Sequence, residues 1–390
     1  MKLTAQKKGI MWTILGISMF QMGMVALSPV ISSITVVFPN AFQLIAQMAT
    51  TFLNLVLVIA ALFSGQISKA IGRRMMCTIG LSLFVISAVG GYFCTFNVGM
   101  VYVWSALLGA GTGLFVPSIS SMMVDYFEPE ETAAIAGYQT SAVNLGGVIL
   151  SILSGIVANA RWNSSYLVYL LAFPIVIMCI KFLPKQEKSQ VAEAATESKE
   201  KAKMPFIVFA ITAETMAFAI CYFAFSTNAS LLLTERNVTN TSVTGIATGV
   251  FMFGGCVVGF LFNKIMSIMK KNTDVFAFVL LAISYALIYF VPTMPVLMIG
   301  AFIGGGSLSI IFPYALLRIG GKVEPAVTVT ATAWILSVGP NFGSFLSPLV
   351  LTNLANIMGR SDCSFRFFLA AVIAVILGVI VLFCHRKEAD

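Results

Sequence analysis

Long apolar runs alternate with short polar breaks along the whole chain, and about 20 apolar residues suffice to cross a bilayer as one helix. The runs predict twelve spans, at 10–31, 43–67, 75–96, 98–123, 131–158, 164–183, 204–233, 241–268, 275–291, 294–317, 326–357 and 365–384. The first is too long in its apolar part for a removable signal peptide, and no small-x-small cleavage site follows it, so it reads as a span. One polar stretch is much longer than the others. "PKQEKSQVAEAATESKEKAK", 184–203, is charge-rich and free of aromatic residues, the composition of a linker. The expected fold is an all-α polytopic membrane protein with an N-terminal six-helix bundle (1–183), a linker (184–203) and a C-terminal six-helix bundle (204–390).

The two bundles repeat one another. "GLFVPSISSMMVDYFEPE" in span 4 lies over "SIIFPYALLRIGGKVEP" in span 10, with Pro117 on Pro313. "NLGGVILS" in span 5 lies over "NFGSFLSP" in span 11, with Asn144 on Asn341 and Gly146 on Gly343. Bundles repeated in this way place a substrate site near the midplane between the halves and work by rocking one half against the other.

Composition agrees with the pattern: 59% of the 390 residues are apolar and 10% charged, against about a quarter charged in an ordinary soluble chain. The net charge of +8 is topology rather than a nucleic-acid patch. With a cytoplasmic N-terminus, Arg161, Arg236, Arg360 and Arg366 fall outside and every other Lys and Arg inside, as the positive-inside rule asks. An even number of spans then returns the C-terminus to the cytoplasm, in an inner or plasma membrane. The seven cysteines are scattered singly, without metal or redox spacing, and read as small apolar filler. The single histidine, His385, lies in the tail. No metal or cofactor is expected. No Gly-x4-Gly-Lys-Ser/Thr loop is present, so a gradient rather than ATP is the expected energy source.

The segment "GQISKAIGRR" between spans 2 and 3 completes a set of features that resembles the major facilitator superfamily of secondary transporters, nearest in look to its bacterial drug:proton antiporter-like branch. That family's loop runs Gly-x-Leu-Ala-Asp-Arg-x-Gly-Arg-Arg/Lys. Gly65, Gly72, Arg73 and Arg74 match it, while Lys69 replaces the Asp and Ala70 the first Arg. The resemblance implies that this loop latches the cytoplasmic side. Arg73 would meet acids at the end of span 4, where Asp125 and Glu128 stand, with Glu130 and Glu131 opening span 5. A lysine aimed at the start of span 11 opposes that helix's dipole, so a charge-swapped latch from Lys69 to Glu324 is one reading and simple positive-inside topology the other. Two antiporter signatures depart from the family pattern: Ser105 stands where span 4 often carries Arg, and Leu150-Ser151 replaces Gly-Pro in span 5.

The resemblance also implies that spans 1, 4, 7 and 10 line a central cavity. Glu214 in span 7, "FAITAETMAFAICYFAF", is the one ionisable residue placed deep in any span, about 15 Å beyond Lys203 at 1.5 Å per residue. Desolvation favours its protonated form, so it is the expected proton-coupling residue and a substrate contact for cations. Gln21, Tyr222, Tyr314 and Trp334 are the neutral substrate candidates. Asn54, Gln139, Asn144, Asn228 and Asn341 are balanced between substrate contact and helix-to-helix bonding, with Asn144 and Asn341 leaning to the latter. No Lys or Arg is placed at mid-depth, which disfavours anionic substrates. The expected function is secondary active transport of a small neutral or cationic organic compound, coupled to protons, with export preferred. The alternative is an uptake carrier for a monocarboxylate, sugar or nucleoside. The expected partners are the substrate, protons and membrane lipid, with the chain working as a monomer. An enzyme would need clustered acids or histidines inside the membrane, and a receptor a large soluble domain; neither pattern is present.

Overall fold

A computed structural model describes residues 4–39, 43–184, 204–319, 323 and 330–387. The described residues are helical throughout, apart from turns. Their long apolar helices are of membrane-crossing length. In chain order the crossings are span 1 Ala5–Val37, span 2 Gln43–Ile71, span 3 Arg73–Phe93, span 4 Val98–Tyr126, span 5 Pro129–Ala158 and span 6 Trp162–Phe182. Then follow span 7 Phe206–Glu235, span 8 Thr241–Met269, span 9 Thr273–Phe290, span 10 Met294–Ile319, span 11 Thr330–Ile357 and span 12 Cys363–Lys387. Spans 8 and 9 are separated only by the tight turn Lys270–Asn272, whose Lys270 takes a positive φ of 50°. The twelve-helix reading of the sequence therefore holds.

The repeat is visible in atomic detail. A methyl group on Gly146 of span 5 would collide with the backbone carbonyl of Met19 in span 1, and one on Gly343 of span 11 with that of Met216 in span 7. Met19 and Met216 are themselves repeat-equivalent, so the same backbone approach is built twice. In lipid such close approach is where helix packing energy comes from. Asn144 and Asn341 match in a different way from the one expected. Each donates its amide to the carbonyl four residues back on its own helix, Thr140 at 3.1 Å and Ser337 at 2.7 Å.

Spans 1 and 7 are each interrupted. Span 1 is α-helical over Ala5–Ser18 and continues as 3-10 helix over Gly23–Val30; span 7 is α-helical over Phe206–Tyr222, turns at Phe223 and resumes over Ala224–Glu235. Gln21 lies in the break of span 1 and Tyr222 just ahead of the break in span 7. Span 11 carries a further irregularity, the π-helical turn Trp334–Val338, a feature that recurs at functional sites.

Two compact units result, Met1–Leu27 with Ala49–Glu200, and Ser28–Met48 with Lys201–Asp390. The far ends of spans 1 and 2 thus form a strap that packs within the second unit. Ser28 Oγ donates to the Ser226 carbonyl at 2.5 Å, and the Ser32 and Ser230 hydroxyls lie 2.7 Å apart. Each of these pairs joins residues 198 apart, bringing serines of spans 1 and 7 together. The expected linker, 184–203, lies outside the described residues apart from Pro184.

Candidate functional site

In the second unit, the end of the helices nearest residue 204 carries three charges in contact. Glu214 is the ninth residue of the Phe206–Tyr222 helix, about 12 Å along it at 1.5 Å per residue. Arg318, in the last turn of span 10, donates to Glu214 Oε2 at 2.5 Å and to Asp274 Oδ2 at 3.0 Å. Asp274 stands in the first turn of span 9, where its Oδ1 also accepts from the Val275 N–H at 2.8 Å. Its side chain is 1% exposed. Both helix termini receive the charge their dipoles favour, acid at the start of span 9 and base at the end of span 10.

The sequence reading placed Glu214 alone, without a cation at its depth; the structure pairs it with Arg318. The reason for the miss is local. Asp274 and Arg318 each stand one residue beyond the edge of a predicted span, 275–291 and 294–317, and so were counted as loop charges. A charge at a helix edge that can reach one turn inward is the signal that would have found them.

Glu214 is fixed by its neighbours on span 7. Thr215 Oγ1 donates to the Thr212 carbonyl at 3.0 Å and to the Ile335 carbonyl in the π turn of span 11 at 3.2 Å. Trp334, at the start of that turn, packs edge-on against Phe209 with ring centroids 5.8 Å apart. It borders the apolar cluster of Val208, Ile211, Ala315, Ile319, Ala331 and Ile335. The turn of span 11 is thereby clamped to the stretch of span 7 that carries Glu214.

The other substrate candidates divide. Tyr222 is fully buried, its ring against Phe218, Phe223 and Phe251, and its carbonyl accepts from the Tyr285 hydroxyl at 2.8 Å. Tyr314 donates its hydroxyl to the Lys271 carbonyl at 3.0 Å, tying span 10 to the turn between spans 8 and 9. Gln21, at the break in span 1, keeps a side-chain carbonyl oxygen that is buried and accepts no hydrogen bond.

In the first unit the loop between spans 2 and 3 is built as its residues dictate. Gly72 adopts φ 80°, the left-handed region that favours glycine, and hands the chain directly into Arg73, the first residue of span 3. Gly65 faces open space. Arg73 pairs with Asp125 in the last turn of span 4, and Arg74 Nη2 donates to the Ile180 carbonyl of span 6 at 2.5 Å. Glu128 caps span 5, its N–H donating to Glu131 Oε2 at 3.1 Å. Glu131 also accepts from Lys7 Nζ at 2.6 Å. Lys7 escaped the sequence reading because it lies just ahead of the first predicted span.

Lys69 is exposed in the last turn of span 2. A cation there complements that helix's own C-terminus, where an acid would oppose it. Glu324 lies outside the described residues, and with it the expected partner of Lys69.

A profile of the Major Facilitator Superfamily matches residues 11–273. The chain belongs to the major facilitator superfamily. Its apolar helices of membrane-crossing length make it a multi-pass membrane protein of that family. Among similar proteins is the quinolone resistance protein NorA of Staphylococcus aureus (strain MRSA252), 24% identical over 277 residues, covering 68% of this chain and 66% of the relative. The alignment thus spans just under two thirds of that relative's length. A hexuronate transporter of Bacillus subtilis (strain 168) is 26% identical over 199 residues, covering 46% of this chain and 47% of the relative. Among solved structures, a D-xylose-proton symporter superposes with a TM-score of 0.73 at 15% identity, covering 97% of both chains, which places the two superfamily members in one fold.

Proposed function

We propose that this superfamily member is a secondary active transporter of the plasma membrane, with both termini cytoplasmic, that moves a small neutral or cationic organic compound outward in exchange for protons. The observation that carries the coupling is the Glu214, Asp274 and Arg318 cluster, where one guanidinium serves two carboxylates. Two carboxylates gathered on one guanidinium are expensive to keep ionised among apolar helices. Taking up one proton, or one cationic substrate, at Glu214 relieves that cost. Glu214 is the member that faces the substrate in this proposal, because Asp274 is committed to the start of span 9.

Export is supported by the alignment with a quinolone resistance protein, and Gln21 is the proposed neutral contact because its buried oxygen still lacks a donor. On the cytoplasmic face Arg73 and Asp125 act as the latch, with Gly65, Lys69, Gly72, Arg74 and Glu128 shaping it. Uptake of a small acidic metabolite is the second reading. It gains support from two buried arginines, Arg318 and Arg366, and from the alignment with a hexuronate transporter.

The deciding experiment is transport into and out of proteoliposomes under an imposed proton gradient, with a quinolone, a lipophilic cation, D-xylose and a hexuronate as probes. The expected result is gradient-driven movement of the quinolone or the cation, lost in Glu214→Gln although the variant inserts normally. Movement that ignores the gradient, or a Glu214→Gln protein that is still driven by it, overturns the proposal.

A further inference from the structure

Three helices of the first unit bring basic residues to one rim. Arg74, the second residue of span 3, donates Nη2 to the Ile180 carbonyl in the last turn of span 6 at 2.5 Å. Lys181, the next residue of span 6, holds its ammonium 5.5 Å from the centre of the Phe182 ring. That ring also lies against span 1, where a methyl group on Gly9 would meet Phe182 Cδ1 at 2.8 Å. Exposed Lys8, the residue before Gly9, therefore stands on the same rim. The acids nearby are engaged by other bases, Asp125 by Arg73 and Glu131 by Lys7. Among the described residues none of Lys8, Arg74 and Lys181 is in an ion pair.

Away from the rim, both helices turn an apolar face outward. Span 3 exposes Met75, Ile79 and Ile86, and span 6 exposes Phe173, Ile177 and Ile180. Steps of four, seven and three residues are those of a single helix face. On helices of membrane-crossing length such a face meets acyl chains. Each stripe ends at a base: Met75 follows Arg74, and Ile180 precedes Lys181. An amphiphile whose chains lie along spans 3 and 6 thus brings its head group to these two cations.

The chemistry of the rim selects the head group. A guanidinium carries five donors in a fork that fits phosphate with two parallel bonds, and Arg74 spends one of them on the Ile180 carbonyl. Its charge stands at the positive end of span 3, so an anion placed there is favoured by the side chain and by the helix terminus alike. A choline lipid carries a fixed cation beside its phosphate and brings no net charge to balance the rim. We propose that the rim of Arg74 and Lys181 is a binding site for an anionic phospholipid. The phosphodiester bridges the two side chains, Lys8 adds to the attraction, and the acyl chains lie along the exposed faces of spans 3 and 6. The site belongs to the first unit and stands whatever the substrate and the coupling.

The test is native mass spectrometry of the full chain released from nanodiscs that hold equal amounts of phosphatidylglycerol and phosphatidylcholine. Wild type is expected to keep one phosphatidylglycerol under conditions that strip the phosphatidylcholine. In Arg74→Gln combined with Lys181→Gln the ratio of lipid-bound to lipid-free protein is expected to fall about thirtyfold, as loss of two basic contacts of about 1 kcal/mol each gives. Lys181→Gln alone, at an exposed position that folding tolerates, is expected to lower it about fivefold by the same conversion. Arg74→Lys combined with Lys181→Arg keeps both charges and is expected to keep the lipid. Lys264→Gln combined with Lys271→Gln removes two exposed charges from the second unit and is expected to leave the ratio unchanged. Inorganic phosphate added before release is expected not to displace the lipid. Equal retention of phosphatidylcholine, an equal loss in the Lys264 and Lys271 variant, undiminished binding in the Arg74 and Lys181 double variant, or displacement by inorganic phosphate overturns the proposal.

Discussion

Each half of the chain binds a base on one helix to an acid on the next at the same stage of its six-helix plan, yet the two pairs are wired in opposite senses. In the first half the base opens span 3 and the acid closes span 4, Arg73 with Asp125. In the second half the acid opens span 9 and the base closes span 10, Asp274 with Arg318. Helix dipoles favour acids at N-termini and bases at C-termini by about 0.3–1 kcal/mol each. The first pair works against both of its helices and the second works with both. Burial widens the difference, since the Asp125 side chain is 38% exposed and that of Asp274 only 1%. A pair held by mutual attraction alone, half in solvent, is suited to opening and closing. A pair in accord with its helices, its acid fully buried, is suited to permanence, and the proposed coupling then falls to Glu214.

The largest expected effect of breaking this contrast is at Arg318. Arg318→Ala leaves the buried Asp274 and the part-buried Glu214 as adjacent acids, and removal of one partner from a buried ion pair costs about 3–5 kcal/mol. A strong fall in the Tm of the detergent-purified protein is expected, whereas Arg73→Ala is expected to cost less than about 1 kcal/mol, as for other half-exposed pairs. Equal losses in the two variants would mean that the two pairs do not differ in kind.

Smaller, and more diagnostic, is the exchange of partners. Arg73→Asp with Asp125→Arg retains the ion pair and turns it to agree with both helix ends, so Tm is expected to rise by the equivalent of about 0.6–2 kcal/mol. The same exchange in the second half, Asp274→Arg with Arg318→Asp, is expected to lower it. Smallest is Lys69→Asp, which places an acid at the C-terminal end of span 2 and is expected to cost about 0.3–1 kcal/mol in the same measurement. An increase in Tm there would remove the helix-terminus account of this lysine.

These differences also explain what could be read from the residues alone. The twelve crossings were legible because apolar runs of membrane length are unambiguous, and the repeat because Pro117 with Pro313 and Gly146 with Gly343 preserve one offset. The family was legible from Gly65, Gly72, Arg73 and Arg74. Arg73 with Asp125 could be anticipated because both stand in polar segments at the helix ends. The cluster around Glu214 could not, because Arg318 and Asp274 lie outside the runs that hydropathy delimits and reach inward only once the helices are packed. The strap was hidden for another reason. Gln47 and Asn228, joined by an amide hydrogen bond of 2.8 Å, are ordinary polar residues in apolar spans, and nothing local shows that the ends of spans 1 and 2 pack with the other repeat. Arg366 was assigned to the outer surface by the charge count, which does not register that its side chain is buried.

The account depends most on the statement that Glu214 exchanges a proton for substrate while sharing Arg318 with Asp274. Proton release on adding saturating substrate tests it directly, using purified protein in a weakly buffered detergent solution with a pH-sensitive dye. Wild type is expected to release protons when substrate binds, and Glu214→Gln to bind substrate without releasing any. Equal release from both proteins would contradict the assignment of the coupling site.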